Sequence, residues 1–148
     1  MKEYKTNLKM FELKKIQTDF PNVKITKSRE GYEFIKNFYG DDIEIFESVF
    51  ALFLNNSNNT IGYAKISQGG ITGAVVDIRI IAKYAVESMA TAVIIAHNHP
   101  SGKTIPSEVD NKITKSLKEG LKTLEIHLID HLIITKNSYY SYQDEGTI

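Results

Sequence analysis

Two histidines one residue apart, a proline directly after them, and a serine and an aspartate three residues apart further on stand in AHNHPSGKTIPSEVD, residues 96–110. The stretch follows a short apolar run, TAVIIA (91–96), and leads into a segment with helical periodicity. Residues at i and i+2 of an extended segment project to the same side, so His97 and His99 can face one ion. Neutral imidazole is a favoured zinc ligand. Pro100 stiffens the exit, and Ser101-Gly102 permits a sharp turn. Ser107 is a good helix N-cap, and Asp110 then falls in the first turn. On a helical wheel Asp110 lies about 60° from Ile113 and about 100° from Val109. That places it at the margin of the inner stripe, able to point towards the end of the sheet. Two histidines and one carboxylate would hold a metal with a fourth position open to water, the usual arrangement of a catalytic zinc.

The competing reading is local. Ser107-x-x-Asp110 is also a capping box, in which the carboxylate reaches back to the N-cap amide. A His-x-His by itself is common in surface loops. The combination, at fixed offsets between a strand and a helix, is more specific than either part. Ser107 can serve both readings, capping the helix while presenting its hydroxyl to a substrate.

The surrounding elements must hold this loop in place. Residues 1–27 are polar and lysine-rich and read as an extension with one strand near Val23–Thr26. Ser28 is expected to cap a helix to about Tyr39, with Tyr32, Ile35, Phe38 and Tyr39 at helical spacing. ESVFALFL (47–54) reads as a strand buried on both faces, NNSNN (55–59) as a turn, and TIGYAKIS (60–67) as its hairpin partner. A short strand is expected at Gly73–Val76, after a tight turn at Gly69-Gly70. Ile78, Ile81, Ala82, Ala85, Val86 and Met89 form the ladder of an amphipathic helix over 78–90. A strand at 91–96 precedes the loop. A helix over 107–121 follows it, with Val109, Ile113, Leu117 and Leu121 inward. Strands at 125–129 and 131–135 and a last short strand after TKNSYYSY close the chain, with Tyr139, Tyr140 and Tyr142 on the sheet edge. His127 reads as the polar face of its strand. Interleaved helices and strands with hairpins at both ends predict an α/β domain with a mixed sheet.

Composition narrows the chemistry. The 148 residues suit one domain, and 42% hydrophobic residues can build a core. Lysine plus arginine and aspartate plus glutamate number 18 each, so the net charge is zero and non-specific DNA binding is disfavoured. There is no cysteine, which excludes disulfides, thiolate metal sites and cysteine nucleophiles. It also excludes zinc deaminases with their P-C-x-x-C ligands. The zincin H-E-x-x-H is absent as well. No apolar run approaches about 18 residues, and the opening MKEYKTNLKMFELKK lacks the apolar core of a signal peptide. A cytoplasmic protein that does not enter membranes is the expectation.

The arrangement His97-x-His99-Pro100, seven residues, then Ser107-x-x-Asp110 resembles the JAMM (MPN+) metalloprotease signature. The longer string HNHPSG…PS..D, with FLNNSNNTIGYAKISQGGITG, LIDHLII and YYSYQDEG in the same order, resembles the RadC branch of that superfamily over roughly residues 30–148. Asn55 stands where many RadC relatives carry aspartate. The resemblance implies a JAMM/MPN-like mixed sheet flanked by helices with cytidine-deaminase-like layering, an N-terminal extension at 1–28 and a RadC-type domain at 29–148. It implies Zn²⁺ on His97, His99 and Asp110, and Ser107 as donor to an oxyanion. It further implies an upstream glutamate as general base, for which Glu47 is the matching position and Glu44 the rival. A similar Asp-His pair in RadC relatives gives Asp130 and His131 a role behind the site; read locally, the pair is a hydrogen-bonded strand junction. The implied reaction is hydrolysis of a peptide or isopeptide by a metal-activated water. The alternative is a DNA-repair accessory or DNA-binding module without protease activity. Longer relatives carry a helix-hairpin-helix region, which the residues before the matched part are not expected to hold. A third alternative, a silent peptide-binding domain, sits poorly with an intact ligand set.

Overall fold

The computed structural model describes residues 8–70 and 74–148. One five-stranded sheet organises the chain, in the order β2-β1-β3-β4-β5. Its strands are β1 (Ser48–Leu54), β2 (Thr60–Gln68), β3 (Ala92–Asn98), β4 (His127–Ile134) and β5 (Tyr139–Ser141). All neighbours are antiparallel except β3 and β4, which are parallel and joined through a helix, so the sheet is mixed as expected. Helix α1 (Ser28–Ile35) covers one face; α2 (Ile78–Glu87) and α3 (Glu108–Thr123) cover the other. The strand residues alternate between two cores. Val49, Ala51, Phe53, Val93 and Ile95 meet Ile81, Ala85, Leu117 and Leu121 of α2 and α3. Leu52, Leu54, Ile94, Ala96, Leu132 and Ile134 meet Ile25 and Ile35. Strands β1 and β3 are buried on both faces, which is why their sequences read as unbroken apolar runs.

Several expectations shift. The two strands expected at 125–129 and 131–135 are one continuous strand, β4, because Asp130 and His131 find hydrogen-bond partners inside the fold and need no exit to water. Lys27, not Ser28, holds the cap position of α1; the Ser28 hydroxyl donates to Asp144 instead. The α-helix stops at Ile35 and tightens into a 3-10 turn at Lys36–Phe38. Around Val23–Thr26 there is a single bridge, Lys24 to Asn59, with Ile25 buried in the α1 core. Residues 74–76 form no strand, and the rest of the Gly73–Val76 expectation lies outside the described residues. Helix α2 ends at Glu87, and Met89, with φ 57°, is 82% exposed. Helix α3 is rolled by one residue from the expected stripe. Asp110, Thr114, Leu117 and Leu121 face inward, while Val109 is 63% exposed. The roll turns two polar residues towards the sheet and so towards the histidines.

Strand β3 runs two residues further than its apolar stretch suggests, so His97 sits in the sheet rather than in the loop. It pairs with Val49 of β1 and Ile133 of β4. The parallel pairing of β3 and β4 has a register shift between Val93 and Ile94, where Leu128 and Asp130 are their partners and Ile129 is the extra residue. A bulge reverses the alternation of faces beyond it. Leu128 belongs to the α2/α3 core, and without the bulge His131 would point to the α1 side. With it, His131 faces α3.

Candidate metal centre

Three elements end at one place. The carboxyl end of β3 brings His97, the loop after it brings His99, and the first turn of α3 brings Asp110. Because β1 runs antiparallel to β3, the segment just before β1 arrives at the same edge with Glu47. The His97 and His99 Nε2 atoms are 2.9 Å apart. The Asp110 carboxylate stands 3.2 Å from the first and 3.6 Å from the second. Glu47 offers a carboxylate oxygen within 4.8 Å of a ligand atom on each histidine. Glu44 does not join the group; its carboxylate is on the surface, 3.1 Å from Lys136 Nζ.

Each side chain is held by its own framework. The His99 amide donates to Ile134 O, and its Nδ1 lies 2.8 Å from the Lys103 carbonyl. A carbonyl only accepts, so Nδ1 carries a proton, and Nε2 is the atom turned to His97 and Asp110. Gly102, with φ +79°, makes the turn that brings Lys103 back, a conformation that glycine adopts without strain. Ser107 and Asp110 form the expected capping box: Ser107 Oγ accepts from the Asp110 amide at 3.1 Å, and Asp110 Oδ2 accepts from the Ser107 amide and hydroxyl at 2.7 Å each. Capping and site formation are one arrangement here. The box fixes the carboxylate through Oδ2 and leaves Oδ1 turned to His97.

Glu47 is placed by a residue that sequence reasoning overlooked. Asn98, between the two histidines and fully buried, accepts from the Ser48 amide at 2.7 Å. It donates to the carbonyls of Ile43 and Phe46 at 2.6 and 2.7 Å. One side chain thus ties the 3-10 turn Asp41–Glu44 and the start of β1 to the end of β3. The Glu47 carbonyl accepts from Gly69 on the other side. Tyr39 adds a hydroxyl 3.1 Å from the carbonyls of Ser48 and Ala96; burial, then the nearby Glu47, push its pKa well up. Nothing in the one-dimensional pattern marks Asn98, since its partners are backbone groups about fifty residues away.

Behind His97 the polar contacts continue. His131 Nε2 is 2.8 Å from His97 Nδ1, and His131 Nδ1 is 2.5 Å from Thr114 Oγ1. Tyr142 stacks on the His131 ring at 5.0 Å and donates to Asn111. It is therefore buried against His131, not spread on the sheet edge. Burial, and then His97 beside it, hold the His131 pKa well below the ordinary histidine value. Asp130 faces the other side of the sheet, accepting from Ser141 Oγ and the amides of His131 and Gln143. Of the Asp-His pair, only His131 touches the cluster. Thr114 and Tyr142 carry no motif by which sequence could single them out.

The donor set suits a cation. Burial pushes the Asp110 carboxyl upward, but His97, His99 and the Ser107 amide outweigh it and hold the group well below the ordinary carboxylate range. Its hydrogen bond to Asp110 in turn raises His99. Imidazole lone pairs and a carboxylate crowded at 2.9 to 3.6 Å attract positive charge, as a proton or as a metal. The spacing brackets the edge of about 3.3 Å expected between donors of a tetrahedral zinc site with bonds of 2.0–2.1 Å.

The chain matches the RadC-like JAB domain family over residues 25–147. A UPF0758 protein of Flavobacterium johnsoniae is 44% identical over 123 residues, covering 83% of this chain and 53% of the relative. UPF0758 proteins of Streptococcus gordonii and Chlorobaculum tepidum are 42% identical over 99 residues and 33% over 127, covering 67% and 86% of this chain. The chain spans about half the length of these relatives: 53%, 44% and 56%. No helix among the described residues is long and apolar enough to cross a membrane. The matched segment holds all five strands and the whole donor cluster, and by that match this chain belongs to the RadC-like JAB domain family.

Proposed function

We propose that this chain is a zinc-dependent hydrolase that cleaves an amide, peptide or isopeptide bond with an activated water. The observation that carries the reading is the convergence of His97, His99 and Asp110 with the carboxylate of Glu47 beside them. His97, His99 and Asp110 would hold the zinc, as neutral imidazoles and a carboxylate suit it. When bound, zinc lowers the pKa of a water and polarises a carbonyl. Glu47 accepts the proton of the attacking water and returns it to the leaving nitrogen. Ser107 Oγ donates to the oxygen that becomes negative; the hydroxyl now donates to Asp110 Oδ2, so it must rotate to do so. Tyr39 and Asn98 keep Glu47 at the sheet end.

Metal analysis of purified protein tests the ligand set. The expected result is about one equivalent of zinc in the wild type and a large loss in His97→Ala; a trace of zinc in both overturns the reading. A peptide library tests the reaction. Glu47→Gln is expected to keep its zinc and lose about 10²- to 10⁴-fold in kcat. Equal turnover by the two proteins would remove Glu47 from the mechanism.

A further inference from the structure

His131 is a large polar ring, 2% exposed, in the middle of β4 between Asp130 and Leu132. Both its nitrogens are used, and their partners set where the protons lie. Thr114 Oγ1 donates its only proton to the Asp110 carbonyl at 2.7 Å, the helix bond open to a threonine four residues on. Towards His131 the hydroxyl oxygen can then only accept, so the proton between them belongs to His131 Nδ1. A neutral ring protonated on Nδ1 has a bare Nε2. That atom accepts from His97 Nδ1 at 2.8 Å, so Nε2 is the atom that His97 turns to Asp110 and His99.

We propose that His131 is the positioning residue of the metal centre: by accepting from His97 Nδ1 while donating to Thr114, it fixes the His97 ring and keeps Nε2 free to bind. The inference rests on the metallohydrolase reading for its ligand and goes beyond it in giving His131 a defined task. Three independent features converge on that task. The bulge at Ile129 turns His131 to the α3 side. Tyr142, parallel to the ring within 7°, fixes its plane. The inward roll of α3 supplies Thr114 as the last acceptor. An imidazole whose far nitrogen donates to an oriented acceptor binds metal better, and loss of such partners typically weakens binding about 10- to 100-fold.

Zinc affinity, measured by competition with a chelator, tests this alongside the thermal unfolding of the metal-free proteins. His131→Leu removes the acceptor and is expected to weaken zinc binding about 10- to 100-fold. His131→Gln, whose carboxamide oxygen reaches to about the place of Nε2, is expected to restore most of the affinity. A merely structural role predicts that affinity follows the unfolding temperature and is indifferent to the acceptor. Wild-type affinity in a folded His131→Leu, or no recovery in a folded His131→Gln, overturns the proposal. If neither folds, Thr114→Val serves: it deletes the acceptor for Nδ1 and is expected to weaken zinc several-fold, whereas unchanged affinity overturns the assignment. Wild-type protein that takes up no zinc would sink the metallohydrolase reading instead. The hydrogen-bond relay is then read from long-range proton–nitrogen NMR of the metal-free protein. Protons on Nδ1 of both His97 and His131 sustain it; a proton on Nε2 of His131 overturns it.

Discussion

Ser107 shows how one residue can have two tasks that a single experiment separates. Its hydroxyl caps α3 and lies 2.7 Å from Asp110 Oδ2, on the carboxylate that would bind metal. As a cap alone, Ser107→Ala would cost about 1 kcal/mol of stability. As an oxyanion donor as well, it would also lower kcat on the order of 10²-fold. Urea unfolding with steady-state kinetics on one peptide distinguishes the outcomes; a stability loss with unchanged kcat leaves Ser107 as a cap only. The contrast between Glu44 and Glu47 is equally local. Three residues apart, one carboxylate is spent on a surface lysine and the other stands at the histidines.

Elements, rather than single residues, determine that the cluster exists. The end of β3 and the start of β1 are antiparallel neighbours, and Asn98 stitches them together with three hydrogen bonds. Asn98→Ala would leave one amide and two carbonyls near the site without partners. At about 1–3 kcal/mol for each buried group left unsatisfied, a loss of at least about 3 kcal/mol is expected. Glu47 would lose its placement at the same time, so turnover should fall further than zinc content. Denaturant unfolding, zinc analysis and kcat on one preparation measure all three. A stable variant with full activity would mean that the Gly69 and Tyr39 contacts suffice to place Glu47. The bulge in β4 acts at the same scale, since one extra residue decides which face His131 sees.

At the scale of the whole molecule, two buried phenols link folding to pH. Tyr142 has its pKa pushed up to about 12 by burial, and Tyr39 is raised as well. An unfolded tyrosine releases its proton near 10. Between these values the folded chain binds more protons than the unfolded chain. The stability contributed is therefore complete below about pH 10 and is lost as the pH rises towards about 12. Unfolding free energies in urea, taken between about pH 8 and pH 11, should fall with pH in the wild type and less steeply in Tyr142→Phe. The same steepness in both would show that Tyr142 ionises as it does in the unfolded chain.

The amino-acid sequence determined the kind of fold and most of the donors. Apolar runs of strand length, apolar residues at helical spacing and turn clusters are local signals; among the described residues they placed β1, β2, β3 and the three helices to within a few residues, but split β4 in two and read the β5 segment as a turn. The types and offsets of His97, His99, Ser107 and Asp110 were legible because all four lie in one strand–loop–helix passage. Glu47 was legible only through the RadC resemblance, since nothing local distinguishes it from Glu44. Tertiary structure decided the rest. The continuity of β4, the roll of α3, the bulge that aims His131, and the grip of Asn98 on the start of β1 all depend on partners distant in the chain. Such contacts form only when the sheet register is set, and register follows from how whole faces bury against one another.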